Sequence, residues 1–137
     1  MKTVLYYFIF FFWFIASLLP LRFLYIFSDL LYFPLYYCVR YRRKIVRKNL
    51  IESFPEKELG EIQRIEKAFY HYFCDYMVET IKLFSMSEEQ MRRRMTFGGV
   101  EKINEIIKDR DCVAYLGHYC NWEWVASLPL HLDIDKD

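Results

Sequence analysis

Residues 112–124 read Cys112-Val113-Ala114-Tyr115-Leu116-Gly117-His118-Tyr119-Cys120-Asn121-Trp122-Glu123-Trp124. The first five carry no charge, follow the polar turn Asp109-Arg110-Asp111 and stop at Gly117. A short uncharged run bounded by turn residues is the pattern of a buried parallel strand. From Asn121 to Pro129 the spacing returns to that of a helix, with Asn121 at its N-cap. Helix, buried strand, glycine, polar loop and helix make one unit of an α/β fold, with functional residues where the strand ends. The pattern therefore predicts the α/β class.

His118 lies in the predicted loop and Glu123 five positions on, in the first turn of the next helix. From there the carboxylate can fold back towards the imidazole, fix its tautomer and stabilise the imidazolium as the ring takes a proton. Such a pair suits general-base activation of a hydroxyl attacking an acyl carbon. The adjoining helix amino terminus favours developing negative charge. On spacing alone, however, His-x4-Glu is common, and a structural histidine capped by glutamate fits it better. Cys120 could act as a nucleophile with His118, though nothing in the sequence depresses its thiol pKa. A metal would need more ligands; His131 and the acids Asp133 and Asp135 are available but sit past Pro129. Trp122 and Trp124 also suit a membrane interface.

Upstream, Gly98-Gly99 breaks the chain before Val100, Ile103, Ile106 and Ile107, one apolar helix face. Ser87-Glu88-Glu89-Gln90 is a capping box and predicts a helix over 88–95, with Arg92-Arg93-Arg94 as a solvated face. Ser53-Phe54-Pro55-Glu56 reads as the start of a long amphipathic helix reaching about Phe84. Its stripe is Leu59, Ile62, Ile65, Phe69, Phe73, Tyr76 and Thr80, turned to a core or a membrane, with His71 off it in a solvated or capping role. Cys38, Cys74, Cys112 and Cys120 show no metal-ligand spacing and read as reduced thiols.

The 137 residues leave room for one ordinary domain, but the composition joins two different polymers. From Val4 to Val39, 30 of 36 residues are apolar or aromatic, and 16 of the 28 aromatics fall in the first 41 positions. Residues 40–48 then carry six bases and no acid, while 49–137 hold 11 bases and 17 acids. The near-neutral total excludes a nucleic-acid binder relying on overall basicity, and the composition excludes a disordered chain or a disulfide scaffold. Val4 to Leu19, uncharged, reads as a membrane helix. Pro20 and Arg22 mark a kink or exit, and Phe23 to Val39 a second helix along or dipping into the interface. A cleaved signal peptide fits less well, because the run is too long and no small-residue cleavage site follows it. The basic cluster keeps the downstream chain cytoplasmic and suits docking to anionic headgroups. The organisation is thus an anchor and interfacial helix over 1–39, a basic flank with amphipathic helices over 40–95, and the start of an α/β domain over 96–137.

The segment Gly117 to Trp124 resembles the catalytic HxxxxE segment of the lipid A biosynthesis acyltransferases, the lauroyl/myristoyl branch of the lysophospholipid acyltransferase superfamily. Tyr41 to Leu50, Ser53-Phe54-Pro55-Glu56, the Asp75 to Lys82 stretch with Glu79-Thr80, and the aromatic anchor are similar to that family's amino-terminal half. The resemblance implies an α/β/α acyltransferase fold and transfer of a fatty acyl chain at the bacterial inner membrane, cytoplasmic side. The implied donor is an acyl carrier protein thioester and the acceptor a hydroxyl of a lipid A precursor. His118 would be the general base and Glu123 its orienting partner; Asn121 and Trp122 would shape the loop. No metal, cofactor or nucleic acid is implied. Family members continue into further strands and acceptor-binding motifs, so the chain reads as a truncated amino-terminal half. The alternatives are an inactive membrane-anchored remnant, or an acyltransferase acting on another lysolipid.

Overall fold

The structure, a computed structural model, describes residues 2–133. It divides into two compact units, Met1–Ser85 and Met86–Asp137.

In the first unit, helix α1 (Lys2–Leu18) ends just before Pro20, which cannot donate an intrahelical hydrogen bond. Helix α2 (Leu21–Phe33) follows and passes into a π-helical turn, Pro34–Val39. The expected amino-terminal membrane helix is corrected here: no single helix among the described residues is long and apolar enough to cross a membrane. Only Thr3–Leu18 and Leu21–Val39 together meet that requirement, and they are bent by 118°. The 17 residues of α1 rise about 26 Å at 1.5 Å each, short of a hydrocarbon core of ~30 Å. Almost every side chain of α1 from Val4 to Ile15 is exposed, as are Phe23, Ile26, Phe27, Leu30 and Phe33 on α2.

Helices α3 (Arg43–Ser53) and α4 (Leu59–Leu83) complete this unit. The expected helix start at Ser53 is instead the end of α3. Pro55 disfavours helical backbone at Phe54, so it terminates the helix before it, and α4 begins at Leu59. The face of α4 also differs from the apolar stripe. Ile62, Glu66, Tyr70, Cys74, Val78 and Lys82 are buried, whereas Leu59 and Phe69 are exposed.

The reason lies in what α4 packs against. Helix α2 and its π turn run antiparallel to α4, joined by polar contacts in regular register. The Tyr25 hydroxyl donates to Glu79 (2.6 Å), that of Ser28 to Asp75 (2.6 Å), and that of Tyr36 to Glu66 (2.9 Å). Tyr32 stacks on His71 at 3.6 Å between ring centroids, and Asp29 lies 4.0 Å from the His71 imidazole. Polar groups of the two segments thus meet inside the unit, while many apolar side chains of α2 face outward.

The break after α1 is sealed by the far end of α4. Buried Lys82 donates from Nζ to the Ser17 carbonyl at 2.8 Å, and the Ser85 hydroxyl donates to the same oxygen. The last turn of a helix has unpaired carbonyls and a partial negative charge, so an ammonium there both caps and neutralises it. Lys82→Met keeps the stem and removes this charge-assisted bond. We expect a loss of about 1.5–3 kcal/mol in denaturant unfolding, with faster proteolysis at residues 18–21.

In the second unit, α5 (Glu88–Arg94) starts at the expected capping box. Gln90 N–H donates to the Ser87 hydroxyl (3.2 Å) and Ser87 N–H to Gln90 Oε1 (3.4 Å). Helix α6 (Val100–Ile107) follows Gly99, whose φ of 79° suits glycine. The α5 helix packs on a 3-10 helix, Trp122–His131, with Met91, Trp124 and Ser127 buried. Asn104 and Asp133 exchange two hydrogen bonds, at 2.8 and 3.0 Å.

The α/β class is corrected. No strand is present among the described residues, and Cys112–Leu116 is irregular chain. Val113 is 82% and Tyr115 96% exposed, the opposite of a buried strand. A strand exists only through ladder hydrogen bonds to a neighbour, and no described segment offers one. The following helix is 3-10 rather than α.

Candidate active site

Gly117, His118 and Tyr119 form a tight turn, closed by a 2.9 Å bond from Tyr119 N–H to the Gly117 carbonyl. His118 is the central residue of this three-residue turn. Cys120 follows with φ 53°, a left-handed conformation that costs a non-glycine residue about 1–3 kcal/mol and clusters at functional sites. The strained residue redirects the chain into Asn121, whose carbonyl accepts from Trp124 N–H at 3.1 Å and opens the 3-10 helix.

His118 is exposed, its ring tilted at 52° over the Trp122 indole with centroids 4.4 Å apart. Glu123 is half-buried in the first turn of the helix. The structure thus places both side chains around one turn. Asn121 occupies the N-cap position without a capping side-chain bond. Cys120 is an exposed free thiol, as are Cys38 and Cys112, while Cys74 is buried and its thiol is pushed up by burial. No group of three or more potential metal ligands occurs among the described residues; Asp135 lies outside them. Trp124 Nε1 and His131 Nε2 are buried without a hydrogen-bond partner among the described residues, the His131 ring lying edge-on to Phe97 at 5.1 Å.

Beside the extended segment runs a groove of about 800 Å³, with Ile103, Ile106, Ile107, Val113, Leu128 and Leu132 in its lining. The model of the bacterial lipid A biosynthesis acyltransferases matches residues 1–131. The chain belongs to that family. No individual curated protein and no solved structure matches it. A lipid A biosynthesis acyltransferase moves an acyl group from a donor to a lipid acceptor, so the chain is of the acyltransferase class.

Sequence reasoning overlooked a second polar centre, in the first unit of this acyltransferase. Glu66, wholly buried, accepts from Arg43 Nε (2.8 Å), Arg47 Nε (2.6 Å) and the Tyr36 hydroxyl (2.9 Å). Arg43 also covers the Tyr36 ring at 4.3 Å. Burial pushes the Glu66 carboxyl up, but the hydrogen bonds from Arg47, Tyr36 and Arg43 outweigh it and hold the group below the usual range. The available signal was an acid set four residues after Ile62 and four before Tyr70, within a predominantly apolar helix.

Proposed function

We propose that the chain transfers a fatty acyl group from an acyl carrier protein thioester to a hydroxyl of a lipid A precursor, at the cytoplasmic face of the bacterial inner membrane. The family match over residues 1–131 carries this reading, together with the HxxxxE segment lying in its span.

His118 takes the proton of the acceptor hydroxyl as that oxygen attacks the thioester carbonyl carbon. Collapse of the tetrahedral intermediate breaks the carbon–sulfur bond. The imidazolium then returns its proton to the departing thiolate, leaving an ester and a thiol. Glu123 orients the imidazole and stabilises its cationic form. Catalytic hydrogen bonds commonly tighten only when substrate binds. The isoleucine and leucine side of the groove suits an acyl chain, while Lys108, Arg110, Asp111 and Asp133 make the rest of its lining charged.

The Pro20-broken pair α1–α2 lies in one leaflet as a bent hairpin, its exposed aromatics in lipid. Residues 40–48 remain on the cytoplasmic side, where positive charge is retained. A lipid-embedded acceptor is then reached from the interface, without leaving the bilayer.

The test incubates the full chain, in mixed micelles, with an acyl carrier protein thioester and a lipid A precursor. An ester-linked product with stoichiometric release of thiol is expected. Acylation of a lysophospholipid but not of the precursor would overturn the acceptor, and no product with either would overturn the transfer reading.

A further inference from the structure

The first unit holds a cleft that the transfer chemistry does not use. Arg40, Arg42, Arg43, Lys44, Ile45 and Arg47 line an open space of about 590 Å³. Arg40 (φ 53°) and Arg42 (φ 49°) are both in left-handed backbone, which L-residues rarely adopt. Of the five cations, Arg43 and Arg47 share the single carboxylate of Glu66. Among the described residues no acid pairs with Arg40, Arg42 or Lys44. Glu66 therefore holds two guanidiniums in place while their side chains stay 28% and 33% exposed, and three further cations remain unneutralised. Pre-positioned guanidinium forks surrounded by excess positive charge match a phosphate.

The rim indicates where that phosphate comes from. Ile45 in the lining is 54% exposed, and Val39 and Tyr41, on either side of Arg40, are 68% and 44% exposed. Val39 ends the Leu21–Val39 segment, whose exposed side chains are mostly apolar, with Arg22 and Asp29 the charged exceptions. Acyl chains lying along that segment would bring a headgroup to the cleft, whereas free phosphate or an acidic protein makes no use of an apolar rim. We propose that the Arg40–Arg47 cleft binds the phosphate of an anionic phospholipid headgroup, with Arg40, Arg42 and Lys44 closing on it against Arg43 and Arg47. The proposal rests on the reading of this unit as membrane-associated, and not on the transfer reaction.

The test titrates the full chain, in neutral detergent, with dihexanoyl phosphatidic acid by calorimetry. Saturable one-to-one binding is expected. R40Q/R42Q/K44Q, which leaves the Glu66 contacts intact, should weaken it on the order of 100-fold, at roughly tenfold or less per charge. R92Q/R93Q/R94Q removes the same charge in the other unit and should bind as the parent does. Should the cleft variant lose its helical circular dichroism, Lys44→Glu alone must still lower affinity. Unchanged binding in the cleft variants, or equal loss in the control, would overturn the proposal. So would inorganic phosphate binding as tightly as the lipid, or an acidic carrier protein losing binding to the cleft variant while phosphatidic acid does not. Partition into neutral phosphatidylcholine vesicles reads the apolar hairpin alone. Partition without phosphatidic acid binding overturns this proposal and leaves the membrane reading standing; absence of partition overturns the membrane reading.

Discussion

Replacing His118 by alanine is expected to slow acyl transfer by about 10²–10⁴-fold, the usual contribution of a positioned general base. The side chain is exposed, tilted over the Trp122 ring, so the variant should fold as the parent does, by circular dichroism and thermal unfolding. The loss should fall on kcat, because a proton-transfer group acts in the transition state, with little change in KM for the thioester. Glu123→Gln should retain part of the rate, since an amide can still orient the imidazole but cannot stabilise its positive charge. Transfer that survives His118→Ala at the parental rate would sink the general-base assignment. A strong rise in KM with kcat intact would make His118 a binding group instead.

The largest structural effect is expected at Glu66. Truncation to alanine leaves the Arg43 and Arg47 guanidiniums without their carboxylate and the buried Tyr36 hydroxyl without its acceptor. Breaking a fully buried ion pair costs about 3–5 kcal/mol. Because both arginines are roughly a third exposed and can rehydrate, about 2–4 kcal/mol is the better expectation. The same group sets an acid limit. Its carboxyl is held below the ordinary 4.5 in the folded chain, so the unfolded chain takes up the proton first as pH falls. The stabilisation is fully present above the ordinary carboxylate range and is lost as pH falls through the depressed folded value. The parent should therefore lose stability as pH falls from the ordinary carboxylate range to that value, and Glu66→Gln should flatten this part of the profile. A Glu66→Gln curve parallel to the parent's would show that another carboxylate controls the acid limb.

Local features were legible in the chain. The Ser87 capping box starts α5 where the spacing puts it, because both partners lie within one turn. Gly99 and Pro20 punctuate the backbone for reasons internal to their own residues. The HxxxxE segment places His118 on a turn and Glu123 at a helix start, and the order of motifs carried the family. Three readings failed for a common reason. The uncharged run at Cys112 matches a strand in composition, but a strand is a relation between two segments. The apolar stripe of α4 marks one face of the helix, but the side turned inward is set by the segments packed on it, which bury Glu66 and Lys82 and leave Leu59 and Phe69 exposed. Pro55 matches either a helix start or a helix stop, and only the chain before it decides.

By itself, then, the sequence determined what depends on near neighbours: the breaks, the caps, the split between an aromatic basic-flanked half and an acidic one, and the acyltransferase family. Tertiary structure alone decided which side of α4 is interior, and so that Glu66 and Lys82 are buried while Phe69 is exposed. It did so because a buried charge is tolerated only where its partners are, and Arg43, Arg47 and the Ser17 carbonyl reach α4 from 19 to 65 residues away. No periodicity along one helix records contacts made at that distance.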